Sequence, residues 1–491
     1  MEGAIAIRSE IRTCLQQKGY TLRSFADLSG VTVSYLSTLL NVEKIKPISV
    51  RYIDVMASTL GQPEGWLYEL YVEECFVTGS PHRSRIKPFL LRCVEIGRKD
   101  CIAVVLSRML EDLNQLELVF EIAEEIHNAD KPKEAIPFYE CIVENEKYQH
   151  SERLAISHYR LFRAALGQNL EQNREAAIRF APFRNRLPVN YQLDGYYKLT
   201  GTSFNQHKWD EVEVYADEFQ IVVKAAYNDK IRRLESKKKA EPLVTDQPFV
   251  FYYGYSYLSK STALQKKGEY EEAKKYISAY ADLSWVQGLN ADDRKQIEQF
   301  KLWAVGNRYT LDLLSGNMAV IPGYIKYLKE HPDEILAGLL TILESANKYG
   351  FLVDETLEEF REHTLGFDQR NDMTHRTYYS SFLQELAIYN FKIQRMHEGL
   401  NCALHSLILS IIMNNDSDFK QSVTMFEFYK ESASPSKKKS TKKLLRRNGT
   451  VKKSLIIHLI LAFGLLSLIQ PIWQTSTNAK DSITINNHGM S

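Results

Sequence analysis

The chain has 491 residues, 44% of them hydrophobic, and a formal net charge of +1. This length and composition can supply the cores of two or three globular domains, and the balanced charge excludes a polyelectrolyte binder. Six scattered cysteines contain no CxxC pair, which argues against a zinc site or disulfide framework and for reduced thiols in a cytosolic body.

Residues 1–70 contain two short helical patterns that meet at Gly30. Thr21 and Thr32 each precede one pattern, and their hydroxyl groups can cap its first turn. Gly30 suits the turn between the helices, because a residue without Cβ adopts a left-handed backbone at little cost. Apolar residues at helical spacing, which predict the buried faces, are Leu22, Phe25, Ala26, Leu28, Val31, Tyr35, Leu36 and Leu39.

This stretch resembles the lambda-repressor-like (Cro/XRE) helix-turn-helix family. The matching residues are Thr21, Phe25, Ala26, Gly30, Val31, Tyr35, Leu36, Ser37, Pro47, Ala57 and the segment 53–60. The resemblance implies a five-helix domain that reads double-stranded DNA with its second short helix in the major groove. By that resemblance, Arg23 contacts phosphate, and the residues at base-reading positions are Thr32, Val33, Ser34, Ser37 and Thr38.

Acidic and basic residues balance within residues 1–70, so this region lacks a strong electrostatic footprint for nucleic acid. A monomer should therefore bind weakly, and either a dimer or a local cluster of Arg23, Lys44, Lys46 and Arg51 has to supply the phosphate contacts. A homodimer is expected, because one module of this kind binds one half-site. The alternative is a small helical bundle without a DNA-binding role.

Residues 84–430 show paired amphipathic helices and almost no strand signal, so we predict an all-α chain. The clearest pair runs from Phe249 to Tyr280, with a turn at Gly268 and the small residues Ser261 and Ala273 within the two helices. This spacing resembles a tetratricopeptide repeat. Stacked pairs of that kind form an α-solenoid with a concave face suited to peptides or partner helices.

Two further pairs follow the same pattern. One has its turn at Asp130, Lys131 and Pro132, and another, from Tyr378 to Ile411, is predicted to turn at Glu398 and Gly399. A plain helical bundle is the alternative to the tetratricopeptide-like domain.

No catalytic or cofactor motif is found. The sequence lacks a glycine-rich phosphate loop, HExxH, GxSxG and a nucleophile with an adjacent base. We therefore predict no enzyme activity, no metal site and no cofactor.

The composition changes near residue 431. Residues 431–453 read as a basic linker, and residues 454–473 are apolar over about the ~20 residues that a spanning helix needs. With residues 474–491 as a polar tail, we predict a cytoplasmic body anchored to the cell membrane, with the basic residues on the cytoplasmic side. The alternatives are a buried C-terminal helix, or an export signal followed by a released peptide.

A helix-turn-helix followed by a tetratricopeptide-like solenoid resembles the peptide-sensing regulators of Gram-positive quorum sensing (the Rap/NprR/PlcR/PrgX group). The resemblance implies that the concave face binds a short peptide, with Asn205, Tyr253 and Tyr257 as candidate contacts. We predict a sequence-specific transcriptional regulator that senses a peptide or protein partner. The alternative is a membrane-anchored helical-repeat scaffold without direct DNA readout.

Overall fold

The computed structural model describes residues 2–42, 45–76, 82–235, 244–370 and 372–429, together with Glu431 and Lys437. These residues form 23 α-helices and five short 3₁₀ helices, and no strand occurs among them, which confirms the predicted all-α class. The α-helices are α1 Glu2–Gln17, α2 Leu22–Ser29, α3 Val33–Leu39, α4 Val50–Thr59, α5 Tyr68–Glu74, α6 Arg83–Ile96, α7 Lys99–Met109, α8 Leu116–Asn128, α9 Ile136–Asn145, α10 Glu152–Ala165, α11 Leu170–Phe180, α12 Val189–Asn205, α13 Trp209–Glu235, α14 Phe249–Lys266, α15 Tyr270–Tyr280, α16 Ala291–Leu314, α17 Ile321–Glu330, α18 Ile335–Tyr349, α19 Asp354–Glu359, α20 Arg361–Thr364, α21 Met373–Lys392, α22 Met396–Met413 and α23 Asp416–Tyr429.

The chain divides into two compact units. Among the described residues, unit 1 contains those of 2–165 and 185–187, and unit 2 contains those of 166–184 and 188–429. The boundary that the sequence suggested between residues 70 and 84 lies inside unit 1.

A single hydrophobic core runs through unit 1 from α1 to α9. The rings of Tyr68 and Tyr71 in α5 pack against Phe89 in α6, with centroids 5.2 and 4.8 Å apart. Asp54 in α4 accepts hydrogen bonds from the Tyr68 hydroxyl at 2.7 Å and from Arg92 of α6 at 3.1 Å. The first five helices therefore share their core with the helices that follow them.

Unit 2 is built from helices that pack against their neighbours in the chain. The pair predicted between Phe249 and Tyr280 is confirmed as α14 and α15, with Gly268 at a φ of 83° in the turn. Ser261 Oγ donates a hydrogen bond to the Ala273 carbonyl at 2.9 Å, so two small residues meet where these helices cross.

Two contacts join early and late segments of unit 2. His207 Nε2 is 3.0 Å from Asp418 Oδ1, and Asn414 Nδ2 donates to Asn169 Oδ1 at 3.2 Å. Residues more than 200 positions apart in the chain therefore meet within unit 2.

The predicted turn at Glu398 and Gly399 is wrong. The turn comprises residues 393–395, and both predicted residues lie in the first turn of α22. A Cβ on Gly399 would lie 2.5 Å from Cδ1 of Phe391, so this glycine serves a close approach between α21 and α22. By contrast, the turn predicted at residues 130–132 is confirmed between α8 and α9.

Three apolar residues assigned to buried faces are partly or largely exposed. Leu28 is 61% exposed, and Leu22 and Tyr35 are each 36% exposed. Leu28 and the buried Ala26 are two positions apart, and such residues point to nearly opposite sides of a helix. The Tyr35 ring instead packs against Tyr52 at a centroid distance of 4.8 Å.

All six cysteines are buried, as predicted, and no disulfide bond joins any two of them. Within the described part of the chain, no helix is both long and apolar enough to cross a membrane. The predicted membrane helix at residues 454–473 and the tail at residues 474–491 lie outside the described residues, as does the linker 431–453 apart from Glu431 and Lys437.

Candidate functional site

The caps predicted for α2 and α3 are confirmed. Thr21 Oγ1 accepts a hydrogen bond from the backbone N–H of Ser24 at 3.1 Å, and Ser24 Oγ accepts one from the Thr21 N–H at 3.0 Å. Gly30 follows α2 with a φ of 70°. Thr32 Oγ1 accepts a hydrogen bond from the Tyr35 N–H at 3.3 Å. These contacts satisfy donors that the first turn of a helix leaves free.

One side of α3 is buried and the other carries small side chains. Leu36 and Leu39 are fully buried. The predicted base-reading residues Thr32, Val33, Ser34 and Ser37 are exposed, and Thr38 is half-buried. The Thr38 hydroxyl donates to the Ser34 carbonyl at 2.9 Å. The structure therefore groups these predicted residues on one accessible face.

A buried ion pair holds the connection between α3 and α4. Arg8 pairs with Glu74, both side chains being fully buried, and Arg8 Nη2 donates to the Lys46 carbonyl at 2.5 Å. Glu74 Oε2 accepts from the Ile48 N–H at 3.3 Å, and the Tyr71 hydroxyl donates to the Ile48 carbonyl at 2.8 Å. This leaves the Lys46 side chain exposed, whereas Lys44 lies outside the described residues.

Ion pairs with later residues neutralise several acidic side chains among the first 70 residues. Asp54 and Glu64 both pair with Arg92, and Glu69 pairs with Arg98, at N–O distances of 3.0 to 3.1 Å. Seven charged side chains in the described part of the first 70 residues are exposed and form no ion pair. Five are basic, Arg12, Lys18, Arg23, Lys46 and Arg51, and two are acidic, Glu10 and Asp27. The accessible charge around α3 and α4 is therefore more positive than the sequence count.

A cavity of about 450 Å³ lies in unit 2. Each of the helices α12, α14, α16, α18 and α21 contributes residues to its wall. The residues that α12 and α14 contribute recur every three or four positions and are Tyr197, Thr200, Gly201, Phe204, Phe251, Tyr255, Leu258, Ser259, Thr262, Gln265 and Lys266. This spacing is one helical stripe on each helix.

Glu334 brings a carboxyl group to the cavity wall. Its Oε1 accepts a hydrogen bond from the Trp303 indole N–H at 3.0 Å. Burial raises the pKa of Glu334, because the ionised form loses hydration. Within the described residues, no basic side chain forms an ion pair with it.

A second cavity of about 250 Å³ adjoins the first, and both are lined by Phe204, Lys266, Leu340 and Tyr378. Lys266 Nζ lies 2.7 Å from Glu344 Oε1. Burial alone would lower the pKa of Lys266, but the neighbouring carboxylate outweighs this effect and raises it. Lys266 and Glu344 therefore neutralise one another at the junction of the two cavities.

The three residues predicted to contact a peptide are not among those that line the two cavities. Tyr253 and Tyr257 stack at 5.4 Å with each other, and Tyr253 also contacts Trp285 at 5.2 Å. Both fall on the side of α14 away from the lining stripe, since positions two apart differ by about 200°. Asn205 is buried next to Phe204. The sequence signal that could have identified the cavity lining is the stripe of aromatic and small polar residues on α12 and α14.

No group of three or more His, Cys, Asp or Glu side chains suited to a metal ion occurs in the described part of the chain. In comparisons with known proteins, no family model matches the chain, no curated protein is significantly similar to it, and no solved structure matches its fold significantly.

Proposed function

We propose that the protein is a sequence-specific DNA-binding transcriptional regulator whose second unit senses a small ligand or peptide. In this proposal α1 to α5 form a lambda-repressor-like helix-turn-helix domain, and α3 enters the major groove. The helix pairs beyond them are tetratricopeptide-like repeats. The observation that carries the proposal is the exposed row of small side chains on the capped helix α3.

The chemistry of α3 supports base contacts. Ser34, Ser37 and Thr38 offer hydroxyl groups that donate or accept hydrogen bonds, and the side chain of Val33 can contact a thymine methyl group. Because these side chains are short, the helix backbone can come close to the base edges. Large or charged residues at the same positions would hold it further away.

The unpaired basic side chains support phosphate contacts. Arg23 lies at the start of α2, Lys46 precedes α4, and Arg51 lies in the first turn of α4. The contact between Tyr35 and Tyr52 brings that first turn beside α3. A homodimer is proposed because one such module covers one half-site, so a strong operator would contain two related half-sites.

The membrane tether is proposed from sequence. Residues 454–473 are apolar and follow a run of basic residues, the order expected for a helix with its basic side in the cytoplasm. Fractionation of cells that express the chain with different tags at its two ends tests this. Both tags on one full-length membrane band support the tether, whereas both tags in the soluble fraction on one band exclude it. A C-terminal tag that appears alone in the medium identifies an export signal instead.

DNA binding is tested with the full chain. Fragments are selected from a random duplex pool, and gel retardation is then measured for the wild type and for the double variant Ser34→Ala/Thr38→Ala. We expect the variant to lose at least about tenfold in affinity for the selected sequence, since a good base contact contributes about 1–3 kcal/mol.

The matched control is Ser9→Ala/Thr13→Ala, which removes two exposed hydroxyl groups at the same spacing on α1. This control should bind like the wild type. If no sequence is enriched, or if both double variants bind the selected DNA equally well, direct readout by α3 is excluded and the scaffold alternative is favoured.

A further inference from the structure

Among the described residues, no basic side chain forms an ion pair with the carboxyl group of Glu334 at the wall of the cavity in unit 2, although the charge of His331 acts to lower its pKa. Its hydrogen bond from Trp303 occupies one oxygen atom, and the described residues supply no ion pair to the other. The lysine and the arginine of the lining both have other partners, since Lys266 pairs with Glu344 and Arg370 with Asp333, each at 2.7 Å. A half-buried carboxylate loses part of its hydration, and a cationic ligand group would offset that loss.

Aromatic side chains surround the same space. Trp303, Tyr378, Tyr255 and Phe251 all line the cavity. Ring faces attract ammonium and guanidinium groups, and this attraction increases when the cation is withdrawn from water. The wall therefore combines two features, a carboxylate and aromatic rings, that both favour an organic cation over an anion.

A second polar anchor lies in the adjoining cavity. Gln384 is 4% exposed and lines that cavity, and its Nε2 has no hydrogen-bond partner within the described residues. A buried amide N–H without an acceptor is unfavourable, and a carbonyl or carboxylate oxygen of a ligand would satisfy it. Glu334 and Gln384 thus favour opposite ligand chemistry in two adjoining cavities that share four lining residues.

The size of the space limits the ligand. About 450 Å³ lies towards the lower end of the ~300–1,000 Å³ typical of small-molecule sites. This volume accommodates a ligand of the size of a di- or tripeptide, whereas a longer extended peptide would have to leave the cavity.

We propose that the cavities of unit 2 bind a compact ligand that places a protonated primary amine against Glu334 and a hydrogen-bond acceptor towards Gln384. This deepens the ligand-sensing part of the proposed function and is independent of DNA binding. The site should select ligands with a free amine over their acetylated forms, because acetylation removes the positive charge and leaves the Glu334 carboxylate unpaired.

Isothermal titration of the full chain tests the inference with three free amines, the tripeptide Ala-Phe-Ala, tyramine and phenethylamine, each compared with its N-acetyl derivative. We expect at least one free amine to bind at least tenfold more tightly than its acetylated form. Binding of only the tripeptide identifies a peptide ligand, and binding of the smaller amines identifies a small-molecule ligand. If no free amine binds more tightly than its derivative, the inference is wrong.

Variants assign the contacts. Glu334→Gln keeps the acceptor for Trp303 but removes the charge, so we expect at least a tenfold loss of affinity for the amine. Glu330→Gln removes an exposed carboxylate four positions earlier, at the last residue of α17, and should bind like the wild type. Equal affinity in both variants contradicts the role of Glu334.

A third variant tests the contact with Gln384 in a protein that is expected to remain folded. Gln384→Leu retains volume and removes the unpaired amide, so the folded protein should stay stable while affinity for the acceptor-bearing tripeptide falls several-fold. Unchanged tripeptide affinity in this variant would show that Gln384 makes no hydrogen bond to the ligand. Gel retardation measured on the same preparations separates this inference from the DNA proposal, because loss of amine binding leaves DNA binding intact.

Discussion

At the scale of single residues, the buried pair of Arg8 and Glu74 determines the path of the chain after α3. Both side chains are fully buried, and together they hold the backbone at Lys46 and Ile48. Two charges withdrawn from water are stable only with each other and with their hydrogen bonds in place. The position of the loop beside the candidate DNA-reading helix therefore depends on residues 66 positions apart.

Replacing Glu74 by Ala should lower the free energy of unfolding by about 3–5 kcal/mol, because it leaves the Arg8 guanidinium buried without its partner. Urea unfolding followed by circular dichroism measures the change. The control is Glu73→Ala, whose partly exposed pair with Arg108 at 2.6 Å should contribute only about 0–1 kcal/mol. Equal effects of the two substitutions would contradict the structural role of the buried pair.

Glu334→Gln should change how stability depends on pH. Because burial raises the pKa of this carboxyl group in the folded state, its contribution to stability is complete below the ordinary pKa of 4.5 and is lost as pH rises through the raised value. The wild type should thus lose stability relative to the variant as pH rises above 4.5, and unliganded Glu334→Gln should be at least as stable at pH 7. Denaturant titrations from pH 4 to pH 8 test the sign.

Arg23→Gln should weaken binding to specific and unrelated DNA to a similar extent. A side chain that contacts phosphate carries little sequence information, and its loss should reduce the slope of log affinity against log salt by about 1. Retardation assays at several salt concentrations measure this slope. An unchanged slope would show that Arg23 makes no phosphate contact.

At the scale of elements, glycines allow the helices of unit 2 to pack closely. A Cβ on Gly254 in α14 would lie 2.5 Å from the ring of Phe300 in α16, and Phe300 is fully buried. A Cβ on Gly338 in α18 would lie 2.4 Å from the side chain of Leu328. Both positions therefore need the smallest residue for packing, although neither has an unusual backbone conformation.

Gly254→Ala should destabilise the protein by about 1–3 kcal/mol, because the added methyl group cannot fit without moving a buried ring. Gly201→Ala is the matched helical control. Its Cβ would meet only the Tyr255 hydroxyl at 3.9 Å, so the better helix propensity of alanine should make it neutral or stabilising by up to about 1 kcal/mol. Thermal unfolding compares the two, and equal shifts would contradict the close approach.

At the scale of the whole molecule, the candidate DNA-binding helices do not have a core of their own. Their hydrophobic residues belong to a core that extends to α9, and Asp54, Glu64 and Glu69 pair with arginines of α6 or of the segment before α7. We expect the fragment 1–165 to fold and the fragment 1–70 to remain unfolded, since the shorter one lacks Glu74, Tyr71 and Phe89.

Circular dichroism and thermal unfolding of the two purified fragments test this expectation. A cooperative transition should be found for residues 1–165 only. If residues 1–70 unfold cooperatively on their own, they do not need the core shared with α6 to α9 in order to fold. The domain boundary predicted from the sequence would then be correct.

The sequence by itself determined the local structure of this protein. The all-α class, the caps at Thr21 and Thr32, the left-handed turn at Gly30 and the α14–α15 pair were predicted because each depends on residues within a few positions of one another. The base-reading and tetratricopeptide interpretations remain predictions from resemblance.

Only the tertiary structure decided what lies far apart in sequence. Three sets of contacts join distant segments. They are the pairing of Arg8 with Glu74, the ion pairs of Arg92 and Arg98 with acids in or near α4, and the contact of His207 with Asp418. Helical periodicity gives each helix a buried side but does not specify which helix covers it. The cavity and the unpaired carboxyl group of Glu334 follow from that choice.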